Sequence, residues 1–368
     1  MIKIQNIYYM LAYAFQVLHE DSYKRIAVED FEQAEDLLAA ILAKGIANQV
    51  KRGLGREYIS RIDNLNSPHG KISISASIKS MIIQKRQLVC ESDEFSENAY
   101  ANQIIKTTAL MLIRSDEVKQ EQKKTLKKVI LYFQAVDKLN PQKIRWTGIK
   151  YNRNNATYKM LINICYLVIE ALLPTTQEGS RKMSQFKDDH LHRLFEKFVL
   201  EYYRKHYPKP YYVSAAQIDW NTDDGIVSLL PTMKTDITLE YGEKILIIDT
   251  KYYGRSLQTN NLYNSRSIHS GNLYQIFAYV KNKDVHHSGD VSGLLLYAKT
   301  DEDITPDDKS YLIDGNRISV KTLDLNKDFK EIRNQLDKIV DEWINPKQPD
   351  FNRRQNAAPT AIINHRLR

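Results

Sequence analysis

Cysteine is almost missing from this chain, with two in 368 residues. That excludes a disulfide scaffold and suits a reducing, cytoplasmic setting. There is no C-x-x-C pair, so a structural zinc site is not expected. Glycine (13) and proline (10) are scarce too, which excludes a collagen-like or largely disordered chain. Long hydrophobic runs are lacking. The most apolar stretch, MLINICYLVIEALL (160–173), is interrupted by Asn163 and Glu170 and stops at Pro174. It is shorter than the ~20 residues needed to span a bilayer, so no membrane association is expected. The N-terminus has no charged segment followed by a clean apolar one, so it does not read as a signal peptide. No G-x₄-G-K-[ST] loop occurs, so this chain alone is not expected to bind a nucleotide. No G-x-S-x-G elbow occurs either.

What is present is a globular balance, 42% apolar and 27% charged, with a formal net charge of +8. An excess of this sign suits a polyanionic partner, although it speaks to association and not to fold.

Residues 1–178 read as one domain and 179–368 as a second, with the polar stretch TTQEGSRKMS (175–184) as linker. Helical spacing covers 2–18, 29–50, 97–115, 118–139 and 150–173. REYISRI (56–62) and KISISASIK (71–79) read as two strands of a hairpin at about 52–79, joined by DNLNSPHG. Ile72, Ile74, Ala76 and Ile78 alternate with serines, which predicts one apolar face. In the second half, 188–207, 272–283 and 327–344 predict helices. Strands are predicted at 211–220, 235–241, 244–253 and 293–299. The class is α/β (α+β overall), with a mixed central sheet flanked by helices, and the polar tail 346–368 is expected to be loosely ordered.

The chemistry concentrates at D-x₁₂-D-x-K. Asp249 ends the apolar run ILII, and Lys251 follows at i+2, on the same face of a strand. A charge at the end of a buried strand needs a partner or a metal. Asp236, brought alongside by the strand pair, completes two hard carboxylates suited to Mg²⁺. An ammonium beside them can orient a water and offset charge on a scissile phosphate. An ordinary surface salt bridge is the competing reading of the bare triplet.

The pattern resembles the PD-(D/E)xK nuclease core, with Thr235 where that family often has proline. Glu196, in the upstream helix, stands where such cores often contribute an acidic group. Gln275 and Tyr279, at i and i+4, resemble the Q-x₃-Y element of RecB-like nucleases. An exposed helix charge and plain packing are the alternatives for these three. The run KYYGRSLQTNNLYNSRSIHSGN (251–272) offers basic and aromatic side chains to a DNA backbone, or is a surface loop. Candidate DNA contacts are Lys251, Tyr252, Arg255 and Tyr279. His190 and His192 are two apart and do not share a helix face, so they are not read as a ligand pair.

Five segments in order, NIYYMLAYAF (6–15), RGLGREY with HGKI (52–72), LVCESDEFSENAYANQIIKTTAL (88–110), YNRNNATYKMLINIC (151–165) and PTMKTDITL with IIDTKYY, resemble the McrC family. That resemblance implies the Mg²⁺-dependent DNA endonuclease subunit of a GTP-driven, modified-cytosine-dependent restriction system, with Mn²⁺ able to substitute. It implies an McrB-like AAA+ GTPase ring as partner, double-stranded DNA as substrate, and a second copy paired through the nuclease domain. The N-terminal part would enter the ring and stimulate GTP hydrolysis. Arg52, Arg56, Arg61 and Lys71 are the candidate finger residues for this, against the reading of a hairpin whose charges only keep it soluble. Asp236 and Asp249 would hold metal, Lys251 serve the attacking water, Glu196 assist, and Gln275 orient Lys251 or DNA. A non-catalytic adaptor and a stand-alone RecB-like nuclease remain as alternatives.

Overall fold

In the computed structural model, the residues described are 3–15, 31–82, 87–147, 156–172, 188–252, 258–260, 265–299 and 308–346, with 18, 23, 26, 29 and 149. The expected linker, the boundary near 178, the tail beyond 346 and Arg255 lie outside them.

The first half is built on helices α1 (Ile4–Ala14), α2 (Ala34–Arg52), α4 (Tyr100–Arg114), α5 (Gln120–Ile130) and α6 (Ala156–Leu172). The α2 helix has Glu35 and Asp36 in its first turn and Lys51 and Arg52 in its last, as the helix dipole favours. Between α2 and α4 lies an arm: β1 (Glu57–Leu65), β2 (Lys71–Ile72), α3 (Ile74–Ile82) and β3 (Leu88–Ser96).

The arm corrects the expected hairpin. The partner of β1 is β3, in antiparallel register from Glu57↔Ser96 to Leu65↔Leu88, and not 71–79. Only Lys71 and Ile72 of that segment join the sheet; from Ile74 on it is α3. Ile-Ser alternation predicts a strand only if the isoleucines are the buried face. Here Ile74 and Ile78 are exposed, and buried Ser77 faces the sheet, its Oγ accepting from Val89 N at 2.8 Å. Likewise 88–96, part of the family-like segment 88–110 and given no strand by the sequence reading, is extended. The helix expected over 118–139 is shorter: α5 stops at Ile130 and a 3₁₀ turn takes 131–133.

The second half opens with α7 (Asp188–His206) and β4 (Tyr212–Ser214). A small pair, β5 (Gln217–Ile218) with β6 (Met233–Lys234), follows. Next come β7 (Ile237–Tyr241), β8 (Lys244–Lys251), the pair β9 (Gln258–Asn260) and β10 (Ser265–Ser267), and α8 (Ser270–Lys283). The half ends with β11 (Val291–Ala298), β12 (Lys309–Ile313), β13 (Asn316–Leu323) and α9 (Phe329–Ile344). The single strand expected over 211–220 is thus two short strands in different sheets. The central sheet has the order β12-β13-β11-β8-β7-β4 and is mixed: β8, β11 and β13 are parallel, and the other pairings are antiparallel.

The apolar run of β8 is buried on both faces. Leu246 and Ile248 join a core shared with α1, α7 and α9, while Ile247 packs with Ile276 and Val280 of α8. Gly293 on β11 lets α8 approach: a Cβ there would meet Ile276 Cγ1 at 2.8 Å and Val280 Cγ2 at 2.9 Å. Helix α1 packs on α7 and reaches the last elements of the chain, its Asn6 Nδ2 donating to Leu325 O (2.7 Å) and Lys327 O (2.8 Å). Tyr9 stacks on Phe329 with ring centroids 4.3 Å apart. Among the described residues, no helix is long and apolar enough to cross a membrane.

Candidate active site

The D-x₁₂-D-x-K residues meet at the C-terminal end of β8, the strand between antiparallel β7 and parallel β11. Crevices at such strand ends are where open α/β sheets bind ligands. Strand alternation sends Ile247, Asp249 and Lys251 toward α8 and Thr250 toward α7. The β7–β8 ladder runs up to Ile237↔Ile248, so Asp236 enters the site just before its own strand begins. Its Oδ2 accepts from Thr250 N at 2.7 Å and from Thr250 Oγ1 at 2.8 Å.

Lys251 is buried. Its Nζ lies 2.6 Å from Asp249 Oδ2 and donates to Gln275 Oε1 at 3.1 Å. Gln275 in turn donates through Nε2 to the Tyr279 hydroxyl at 2.9 Å. The i, i+4 spacing on α8 therefore forms one chain, Tyr279–Gln275–Lys251–Asp249, which fixes the ammonium.

Three carboxylates approach each other. Burial pushes Asp249 up from 3.8 to about 6; the Lys251 ammonium opposes this and Asp236 adds to it. Glu196, half-buried on α7, is also raised, by burial first and then by Asp236, with His192 offsetting. Although Lys251 is close, Oδ2 of Asp249 is buried and makes no hydrogen bond of ordinary geometry. Among the described residues, no group of three or more His, Cys, Asp or Glu is gathered tightly enough to enclose a metal. Mg²⁺ does not require such a cage. It takes one or two carboxylates, keeps several waters and shares substrate phosphates. The hard carboxylate oxygens of Asp236 and Asp249, held at one strand end beside a single ammonium, fit that ion.

Other sequence-predicted residues fall elsewhere. Tyr252 is buried, its ring edge-on to Phe195 at 6.4 Å, and so forms part of the wall behind the site. Tyr279 is buried as well and anchors Gln275. Arg52, Arg56, Arg61 and Lys71 belong to the arm and its base, outside this site. Arg52 donates to Thr157 Oγ1 (3.4 Å), Arg56 pairs with Glu97 (2.8 Å) and Arg61 with Glu94 (2.8 Å).

One residue at the site was missed. His192 Nε2 lies 2.7 Å from the Thr250 carbonyl. A signal existed in the sequence: His192 and Glu196 are four apart on α7, on one face.

The McrBC family model, described as McrBC 5-methylcytosine restriction system component, matches residues 3–298. The Type IV methyl-directed restriction enzyme EcoKMcrBC of Escherichia coli K12 is 26% identical over 352 residues, covering 93% of this chain and 98% of that protein. Two solved structures from Thermococcus gammatolerans are also similar. One is a half-complex of McrB AAA+ hexamers with bound McrC: 17% identity, TM-score 0.46, 91% of this chain and 76% of that one. The other is the McrBC complex: 18% identity, TM-score 0.38, 54% of this chain and 56% of that one. With the family model spanning most of its length, the chain belongs to the McrBC 5-methylcytosine restriction system component family, as its resemblance to McrC implied.

Proposed function

We propose that this chain is the Mg²⁺-dependent DNA endonuclease subunit of a restriction complex driven by an McrB-like GTPase. The observation that carries the reading is the convergence of Asp236, Asp249, Lys251 and Gln275 at one strand end. An exposed salt bridge, the competing explanation of the motif, does not need a buried ammonium braced by a glutamine and a tyrosine.

Asp236 and Asp249 would hold the ion. Bound there, Mg²⁺ supplies a polarised phosphate and a more acidic water. The chain's own groups do the rest. Lys251, with its side chain 10% exposed, presents a positive charge where negative charge develops on the phosphate. Gln275 fixes the direction of that ammonium, and Tyr279 fixes Gln275. One such site cuts one strand, so a duplex break calls for a second copy.

Partner binding is supported by the arm. Its β1 strand is exposed at seven of nine positions, and Tyr58, Ile62, Ile74, Ile78 and Phe95 are all more than half exposed. A ribbon this thin has little core of its own, and an exposed apolar set of this size marks an interaction surface. A GTPase ring fits the family to which the chain belongs.

The test is cleavage of methylated DNA by this chain with its cognate GTPase, GTP and Mg²⁺. Asp249→Ala and Lys251→Ala are each expected to lower cutting by about 10²-fold or more, while stimulation of GTP turnover persists. Undiminished cutting by both variants overturns the site. Efficient cutting without the GTPase favours a stand-alone nuclease, and GTPase stimulation without any cutting by the wild type favours an adaptor.

A further inference from the structure

We propose that His192 is a positioning residue of this site, holding the main chain at Thr250 and through it Asp236 and Asp249. The proposal rests on the metal-site reading above and extends it to a residue outside the D-x₁₂-D-x-K pattern.

The argument starts from the sheet edge. Along β8 the pairing with β7 is regular until Ile237↔Ile248. Beyond that point β8 continues against β11, with Asp249, Thr250 and Lys251 opposite Leu295, Leu296 and Tyr297. The N–H and C=O of one strand residue face the same neighbour, so Thr250 turns both groups to a single side. On that side two side chains take over from the strand. Asp236 Oδ2 accepts the Thr250 N–H at 2.7 Å, and His192 Nε2 meets the Thr250 carbonyl at 2.7 Å. The Thr250 hydroxyl adds a second bond to the same Asp236 oxygen at 2.8 Å.

A carbonyl oxygen only accepts, so Nε2 must carry a proton. The hydrogen bond therefore selects one neutral tautomer or the cation. The carbonyl that His192 meets belongs to the Thr250–Lys251 peptide, and the N–H that Asp236 accepts belongs to the Asp249–Thr250 peptide. The two planes share the Thr250 Cα, so together His192 and Asp236 fix the backbone dihedrals of Thr250 and with them the directions of Asp249 and Lys251. Helix α7 is a stiff mount for this contact, because its Phe195, Phe198 and Val199 are buried in the main core. His192 also lies within electrostatic reach of the carboxyls of Asp249 and Glu196. Hydrogen-bond partners standing behind metal ligands typically change affinity by about 10–100-fold when removed.

The experiment uses the full chain without its partner and reads Mn²⁺ binding by calorimetry, alongside thermal unfolding. His192→Ala is expected to weaken Mn²⁺ binding about tenfold. His192→Gln, whose amide can donate from nearly the same place, is expected to stay within about threefold of wild type. Asp249→Asn is the control for the site itself. If it loses Mn²⁺ while His192→Ala binds like wild type, the positioning role fails and the metal site stands. If Asp249→Asn binds Mn²⁺ like wild type, the metal-site reading fails. Nitrogen NMR of the wild-type histidine rings needs no variant. A proton on Nε2 of His192 supports the proposal, and a neutral ring protonated only on Nδ1 overturns it.

Discussion

Asp249 and Lys251 hold opposite charges with side chains 3% and 10% exposed. The attraction offsets only part of the desolvation of such a pair, and Asp249 keeps a raised pKa of about 6. Relative to the ordinary 3.8, that shift corresponds to about 3 kcal/mol. Its sign runs against the folded state. The cost is fully present above about pH 6 and is relieved as pH falls toward 4, where the folded protein takes up the proton first. A divalent cation competes for the same oxygen. Mn²⁺ affinity is therefore expected to level off above about pH 6 and to fall about tenfold per pH unit below it, as calorimetry at stepped pH will measure. At this scale the meeting of Asp236, Asp249 and Lys251 was legible because an apolar run ending in Asp-Thr-Lys is an anomaly needing explanation, and Gln275 was reached only through its resemblance to the Q-x₃-Y element. His192 was not, because it was judged with His190 as a ligand pair, and its actual contact is to a backbone carbonyl that no side-chain pattern encodes.

Among the elements, the arm departs most from what its sequence suggested. In β1 and β3, cross-strand partners share a face, so Tyr58 and Phe95 lie together, with ring centroids 5.0 Å apart, on the same face as Ile62. Arg61 and Glu94 pair on the opposite face. The apolar stripe is thus free of the ion pair, and the basic residues Arg56 and Arg61 are already engaged by acids of the arm's own strand and its end. Partner affinity is expected to depend on the stripe. Tyr58→Ser with Ile62→Ser should weaken association with the GTPase by about tenfold or more, at unchanged Mn²⁺ binding, in a pull-down titration read beside calorimetry. Loss through Arg61→Ala alone, with the stripe variants binding normally, would contradict this. The hairpin β12–β13 carried a signal that went unread. Asp314-Gly315 joins its strands with positive φ at both residues, 48° and 82°, the twist that suits a two-residue hairpin loop. Helices were read more faithfully than strands, since a 3.6-residue stripe over many residues has few other interpretations, whereas Ile-Ser alternation over seven residues fits either element.

For the molecule as a whole, the sequence suggested two halves in series, but α1 packs onto α7 and onto the segment leading into α9. One buried asparagine secures that junction. Asn6→Ala removes a donor from two main-chain carbonyls and should cost about 1–3 kcal/mol of stability, visible as an earlier denaturant midpoint with an unchanged slope. The fold class was legible because local hydrophobic periodicity survives in the sequence. The docking of α1 was not, since its apolar face specifies burial without naming the surface that covers it.

The Lys3–Asp328 ion pair joins residues 325 positions apart, and the apolar face of α1 lies beside it. During synthesis α1 emerges before α7, and both emerge well before the segment leading into α9. The contacts with α7 can form once that helix is made, but the part of the face around Tyr9 and Asn6 lacks its native cover until synthesis passes Phe329, and until then it must be kept from other exposed apolar surfaces. Docking of α1 is in this sense completed late, once the segment around Phe329 has been made.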